Sequence, residues 1–225
     1  MAAGEWGRAY ALLPQFLSFL LAGLLMTVIV TVGGFVVSII LGLMFAGART
    51  GRNPVLRWLA YAYVEVFRAV PVLTQLFIIY FGLGAIGIKL DPVPAALIGF
   101  GINGGANLTE VFRAGIEAVG RGQAEAAHAL GLSRMWTMIH VIMPQAFRVS
   151  LPSLVNFSIG LLKDTSLASA VAAPEVSFNA HMLVDRTFLS TQIYLLVAVL
   201  YLAISFPLAV FGRRLERRLT AGRSR

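Results

Sequence analysis

The chain has 225 residues, of which 58% are hydrophobic and only 12% are charged, against about 25% charged residues in soluble domains. Together with a mean hydropathy of +0.82, this composition excludes an ordinary cytosolic enzyme, a disordered protein and a nucleic-acid-binding domain, and it predicts a multi-pass membrane protein. The absence of cysteine excludes disulfides, cysteine-ligated metal centres and a thiol nucleophile.

Long apolar runs predict where the chain crosses a bilayer, since a helix needs about 20 such residues to span the hydrocarbon core. Four runs carry no charged residue, and a fifth, residues 149–173, is interrupted only by Lys163 and Asp164. We therefore predict an all-α integral membrane protein that forms a single domain over residues 1–225. Its five transmembrane helices are predicted near residues 16–47, 69–88, 93–115, 148–172 and 188–211.

The first apolar run, residues 9–48, is long enough for a hairpin of two spans. It contains no polar turn, however, and its only weak point is Gly33-Gly34, while glycine is common inside membrane helices. We therefore predict one long helix that begins at the membrane surface, near Trp6–Pro14.

The distribution of basic residues predicts the orientation. Of the 18 Lys and Arg residues, Arg8, Lys89 and Arg186 fall on one side of the predicted spans and Lys163 falls within one, which leaves 14 on the other side. Because Lys and Arg collect on the cytoplasmic side, we predict that the N-terminus is outside and the C-terminus is cytoplasmic. This asymmetry accounts for the net charge of +8, so that no nucleic-acid partner is predicted.

The cytoplasmic segment 117–144, between the third and fourth predicted helices, contains too much helix-forming sequence to be a linker. Gln123–Leu130 is rich in alanine and predicts a short helix. Gly131 stands where a glycine would end that helix, and Ser133 is suited to cap a second short helix, which Pro144 is predicted to end. The segment therefore predicts two short helices joined by a sharp turn.

The spacing within this segment resembles a known signature. Glu125-Ala126-Ala127, three residues, Gly131, nine residues, Val141, one residue and Met143-Pro144 resemble the EAA loop of the permease subunits of ABC importers. In that family the short helix docks on the ATP-hydrolysing subunit and transmits its motion. The resemblance thus implies an ATPase-coupling role for Glu125, Ala126, Ala127, Gly131 and Pro144.

Other stretches resemble the polar amino-acid branch of this family. They are Tyr63–Pro71 followed by Gln75-Leu76-Phe77, Glu110–Ile116 and, as the strongest marker, Leu161–Ser169 followed by Pro174-Glu175. The stretch Asn103–Asn107 departs from the branch, because it carries glycine and asparagine where serine and tyrosine are usual. This departure leaves the exact substrate open more than it affects the family.

The resemblance also implies partners and a location. The expected location is the bacterial cytoplasmic (inner) membrane, where the chain pairs with a second permease subunit, identical or different. Two cytoplasmic subunits bind ATP and Mg, so that no cofactor is expected in this chain. An extracytoplasmic binding protein delivers a polar amino acid to the outer loops, near residues 89–94 and 174–187.

Polar and charged residues inside spans are costly and face the bundle interior or a wet cavity. Lys163 and Asp164 are sequence neighbours and cannot pair well on a helix, where partners lie three or four residues apart. Glu110 and Arg113 are three residues apart, which predicts a pair along the third helix. Such groups either line a path for a zwitterionic amino acid or join helices through ion pairs and hydrogen bonds. Both interpretations stay open for the candidates of the substrate path, which are Asn103, Asn107, Glu110, Lys163 and Asp164.

The leading hypothesis is a transport subunit that is not an enzyme. The chain has no phosphate-binding loop for ATP, no histidines at metal-ligand spacing and no catalytic constellation. An importer of another small polar solute, such as an opine-like conjugate or a quaternary amine, is the alternative. A passive channel or a scaffold is the hypothesis from a different class, and the EAA-like segment argues against it.

Overall fold

The computed structural model describes residues 2–221, with side chains from Glu5 to Arg217. Within these residues the chain forms eight helices and no strand. In chain order they are α1 (Ala2–Thr50), α2 (Pro54–Ala69), α3 (Val72–Ala85), α4 (Pro92–Glu117), α5 (Arg121–Ala129), α6 (Arg134–Val171), α7 (Val176–Thr187) and α8 (Ser190–Ala221).

Three of the described helices, α1, α6 and α8, are long and apolar enough to cross a membrane, and the bent pair α2 and α3 together would make a fourth. The 26-residue α4 is about 39 Å long at 1.5 Å per residue. It is the most enclosed helix of the bundle, because much of its surface is covered by α1 and α6. The predicted all-helical membrane fold is thus confirmed, and the count of five spans stays a prediction.

The first helix is continuous through Gly33-Gly34, as predicted, and it packs side by side with α4. Gly34 faces Phe100 and Gly42 faces Leu108, so that the two helices run in the same direction. A Cβ atom on Gly42 would lie 2.8 Å from the Cβ of Leu108. Small residues on α1 therefore permit the close approach that is typical of helices packed in membranes.

The predicted second span differs from the structure. Residues 69–88 contain the end of α2, a break at Val70-Pro71 and then α3, with a bend of 104° between the two helices. Pro71 has no N–H group to continue a helix and disfavours helical geometry in the preceding residue, and Val70 is accordingly extended. The apolar run correctly indicated a helical segment of a possible span, but Pro71 decides where the helix divides.

The segment 117–144 also differs at one point. A separate second short helix does not form, since α6 begins at Arg134 and continues past Pro144 to Val171. Residues Met138–Ile142 adopt a wider π-helical turn, in which the Met143 N–H donates to the Met138 carbonyl. Such a bulge accommodates the ring and the missing donor of a proline, so that Pro144 lies inside a helix instead of ending one.

The expected outer loop 174–187 is mostly helical. Glu175 caps the N-terminus of α7 by accepting a hydrogen bond from the Phe178 N–H at 2.8 Å. The apolar side of α7 packs against the first half of α1 and the start of α8, with Leu20, Ala180 and Ile193 fully buried. This cluster joins one end of the bundle, and the α5–α6 turn lies at the other.

Candidate coupling segment and substrate path

The turn between α5 and α6 has the geometry that the glycine predicted. Gly131 has a φ of +80°, its N–H donates to the His128 carbonyl at 2.9 Å, and the Leu132 N–H donates to the Ala127 carbonyl at 3.1 Å. These two bonds define a Schellman ending. The following helix, α6, is capped by Ser133, whose Oγ accepts a hydrogen bond from the Trp136 N–H. Both predicted caps are confirmed.

The surface of this segment is divided between a buried and an exposed side. Ala127 is buried, whereas Glu125 and Ala126 of the same motif are exposed. Gln145 on α6 donates through Nε2 to Gln123 Oε1 at 3.3 Å, which ties the start of α5 to α6. The short helix is therefore fixed on one side and free on the other.

Large apolar side chains surround the turn on its free side, and sequence reasoning did not include them. Leu130 is 82% exposed, Met135 69% and Trp136 59%, and Trp136 stacks on His140 with ring centroids 4.2 Å apart. An exposed apolar patch rimmed by polar residues is typical of a protein–protein interface. The signal that could have found it was the run of apolar residues in a segment assigned to the aqueous side.

The first part of the predicted substrate path is a pair of asparagines on α4. Asn103 donates through Nδ2 to the Phe67 carbonyl at the end of α2, at 2.9 Å. Asn107 donates through Nδ2 to the Asn103 carbonyl at 3.0 Å and to Asn103 Oδ1 at 3.2 Å. Both side chains are half-buried, so that the pair joins two helices and remains within reach of a ligand.

Glu110 lies between two arginines. Arg113 contacts Glu110 Oε2 through Nη2 at 2.8 Å and also reaches Glu117, while Arg49 from the end of α1 pairs with Glu110 Oε1. The predicted pairing of Glu110 with Arg113 is confirmed. Arg49 is 61 residues away in sequence, and no local spacing could have indicated it. These contacts give Glu110 a role in joining α1 to α4.

Lys163 and Asp164 lie apart from the other three candidates. Both are exposed on the surface of this single chain, where α6 tightens from its α-helical part, which ends at Asp164, into the 3₁₀ turn Thr165–Val171. In the described part of the chain, no hydrogen bond or ion pair links them to Asn103, Asn107 or Glu110. The five candidates thus form two groups.

Glu175 is a buried acidic residue that sequence reasoning did not single out as a site. It is fully buried and accepts a hydrogen bond from Tyr201 Oη at 2.9 Å. Gly23 on α1 packs closely against its backbone, since a Cβ added to Gly23 would lie 2.7 Å from the Glu175 carbonyl carbon. Burial raises the pKa of the Glu175 carboxyl, and hydrogen bonds from Ser177, Tyr201 and Phe178 oppose that rise. It joins α1, α7 and α8.

Comparisons with known proteins identify the family of the chain. The model of the family described as binding-protein-dependent transport system inner membrane component matches residues 38–221. The L-cystine transport system permease protein TcyB of Bacillus subtilis is 40% identical over 206 residues, which cover 91% of this chain and 88% of that protein. The glutamine transport system permease protein GlnP of Escherichia coli is 34% identical over 217 residues, which cover 96% and 97%.

The fold has a solved counterpart. A crystal structure of an amino acid ABC transporter with histidines is 30% identical and superposes with a TM-score of 0.85, over 92% of this chain and 96% of that chain. The chain therefore belongs to the family of inner membrane components of binding-protein-dependent transport systems, as its resemblance to ABC importer permeases predicted.

Proposed function

We propose that this protein is the permease subunit of an ABC importer that carries a polar amino acid across the bacterial inner membrane. The observation that carries the proposal is the similarity over almost the whole chain to permeases of amino-acid systems. The exposed turn between α5 and α6 supports it, because a passive channel has no use for an apolar docking surface on a rigid cytoplasmic helix pair.

The proposed topology has five spans, formed by α1, the pair α2 and α3, α4, α6 and α8. The N-terminus is outside and the C-terminus is cytoplasmic, in accord with the excess of basic residues on one side. The parallel packing of α1 on α4 supports this arrangement, because it requires that the pair α2 and α3 return the chain across the bilayer between them.

The proposed complex contains a second permease subunit, identical or different, two cytoplasmic ATP-binding subunits that hold ATP and Mg, and an extracytoplasmic binding protein. The coupling contact is the α5–α6 turn with the exposed Leu130, Met135 and Trp136. ATP-driven closure of the ATPases pushes on this turn and rocks the two permeases. The residues assigned to the coupling contact are Glu125, Ala126, Ala127, Gly131 and Pro144.

The proposed substrate path uses the chemistry of a zwitterion. The ammonium group needs an acidic or carbonyl partner, and the carboxylate needs a cation or a helix N-terminus. Lys163 and Asp164, exposed on the single chain, supply one group of each sign toward the second permease. The polar side chains of Asn103, Asn107 and Glu110 on α4 continue the path. The residues assigned to the path are Asn103, Asn107, Glu110, Lys163 and Asp164.

The test is amino-acid uptake by the complete complex in proteoliposomes, with ATP hydrolysis measured on the same preparation. Wild-type complex is expected to import one or a few polar amino acids, and the binding protein loaded with them is expected to stimulate hydrolysis. Asp164→Asn is expected to lower uptake about tenfold or more while the ATPase subunits stay bound, since a hydrogen bond to a charged group is worth about 1.5–3 kcal/mol.

Glu65→Gln is the matched control, because Glu65 is exposed on α2 and belongs to neither the proposed path, the coupling contact nor the outer loops. Uptake is expected to stay within about twofold of wild type in this variant. Import of quaternary amines but of no amino acid would assign the chain to a different substrate class. Solute flux without ATP would contradict the importer itself.

A further inference from the structure

The break between α2 and α3 lies level with the middle of α4, on the side of the bundle. The last turn of α2 contacts Asn103, which is near the middle of the 26-residue α4. A break in a membrane-spanning helix leaves backbone carbonyl groups without their helical donors, and each of them needs another partner. The bend of 104° at Val70-Pro71 is therefore possible only if side chains replace the lost backbone hydrogen bonds.

One carbonyl in particular loses its partner. In a continuous helix the Phe67 carbonyl would accept from the N–H of residue 71, and Pro71 has none. Gln75 replaces that donor, because its Nε2 donates to the Phe67 carbonyl at 2.8 Å and to the Val70 carbonyl at 2.7 Å. Asn103 donates to the same Phe67 carbonyl at 2.9 Å.

The rest of the Gln75 side chain indicates that packing alone does not explain it. Gln75 is 4% exposed, and none of the described residues donates a hydrogen bond to its buried Oε1. A buried acceptor without a partner is destabilising, so that an apolar residue of the same shape would pack at lower cost. What an apolar residue lacks is the pair of N–H donors that close the break.

We propose that Gln75 is a positioning residue of the transporter, which holds the broken span α2–α3 against α4 and thereby holds Asn103 at the substrate path. This rests on the proposed function. Because Gln75 and Asn103 share one acceptor, loss of the Gln75 amide frees the end of α2 to move and leaves Asn103 with a displaced partner. The consequence is weaker capture of the amino acid, with coupling to the ATPases preserved.

The test compares Gln75→Met with Gln192→Met in the complete complex in proteoliposomes. Methionine is close to glutamine in shape and lacks both donors, and Gln192 is likewise buried, on α8 and 6% exposed. For Gln75→Met we expect the KM for uptake to rise about tenfold, since two hydrogen bonds are lost. The maximal rate per assembled complex and the basal ATPase activity are expected to stay within about twofold. Gln192→Met is expected to leave both parameters unchanged.

A double-mutant cycle then asks whether Gln75 acts through Asn103. If it does, adding Gln75→Met to Asn103→Ala raises KM by less than twofold further. Wild-type KM in Gln75→Met overturns the proposal, and so does a loss of assembled complex with unchanged KM, which is the result of a purely structural role. Independent, multiplicative effects of the two changes also overturn it. Failure of the wild-type complex to import any amino acid would instead refute the proposed function.

Discussion

Glu175 is an acidic residue that is completely buried, and its neighbours are hydroxyl and N–H groups from three helices. Its Oε1 accepts from the Phe178 N–H at 2.8 Å and its Oε2 from Tyr201 Oη at 2.9 Å. Thr27 on α1 meanwhile accepts from the Val176 N–H at 3.3 Å. Burial opposes ionisation of the Glu175 carboxyl. The site therefore requires oxygen atoms that accept hydrogen bonds more than it requires a negative charge.

The first prediction concerns Glu175→Gln and Glu175→Leu. Glutamine keeps an oxygen for the Phe178 N–H, whereas leucine leaves the donors of Phe178 and Tyr201 buried and unpaired, at a cost of about 1–3 kcal/mol each. We expect the thermal unfolding temperature of the purified protein to be clearly lower than wild type in the leucine variant and close to wild type in the glutamine variant. Equal loss in both variants would mean that the carboxylate charge itself is required.

The second prediction is the pH dependence of that comparison. Because the folded pKa of Glu175 is raised, its stabilising contribution is complete below the ordinary glutamate value of 4.5 and is lost as the pH rises through the folded value. Glutamine does not titrate. The difference in unfolding temperature between Glu175→Gln and wild type is therefore expected to shift in favour of the variant as the pH rises above 4.5. A shift in the opposite direction would contradict a raised pKa of Glu175 in the folded protein.

At the residue scale, sequence reasoning succeeded where the partner was local and failed where it was distant. The spacing of Glu110 and Arg113 predicted their contact, because residues three apart share a helix face. Nothing in the sequence joined Arg49 to Glu110, or Glu175 to Tyr201, since those pairs depend on which helices pack together. Gln75 was visible only as one residue of a family-like motif.

At the scale of the element, the α5–α6 turn is the part that local rules determine most fully. Its left-handed residue, its two carbonyl–amide bonds and its serine cap all follow from Gly131 and Ser133. Gly131 has no atom within 4 Å of the place where a side chain would begin. A substitution there thus acts through backbone conformation alone.

The third prediction is that Gly131→Val uncouples transport. A β-branched residue at a φ of +80° is strained by about 1–2 kcal/mol or more, and the turn must reorient to relieve it. We expect insertion into the membrane to be normal and uptake driven by ATP to fall at least fivefold. ATPase binding or its stimulation by the loaded binding protein is expected to weaken in parallel.

Gly122→Ala is the control for this change. Gly122 lies inside α5 with ordinary helical geometry and no atom within 4 Å of an added Cβ, so that alanine is expected to be neutral or slightly stabilising. Full coupling in Gly131→Val, or equal damage in Gly122→Ala, would remove the reason to assign the turn to the ATPase.

Helix boundaries were less predictable than the turn, for a physical reason that involves proline. Pro71 divides a predicted span, whereas Pro144 and Pro152 lie inside α6. A π-helical turn at Met138–Ile142 precedes Pro144, whereas Val70 before Pro71 is extended. That adjustment depends on packing, and the apolar pattern does not encode it.

At the scale of the whole molecule, the direction of α1 relative to α4 fixes which loops share an end of the bundle. Gly34 opposes Phe100 and Gly42 opposes Leu108, so that the start of α4 lies beside the middle of α1. The end of α1 lies beside Glu110, toward the end of α4. The basic residues after α1 thus gather at the end of the bundle that carries the turn. Charge distribution and packing, which are independent observations, agree on one arrangement.

The last prediction tests this arrangement by cysteine labelling, for which the chain is suited because it has no cysteine. Lys89 precedes α4 and Arg52 follows α1, and both are exposed. In intact cells, Lys89→Cys is expected to react with a membrane-impermeant maleimide, and Arg52→Cys is expected to react only after the inner membrane is permeabilised. Uptake measured on the same cells shows that each variant is folded. Labelling of Arg52→Cys from outside, or equal labelling of both positions in intact cells, would refute both the outward N-terminus and the return of α2 and α3 across the bilayer.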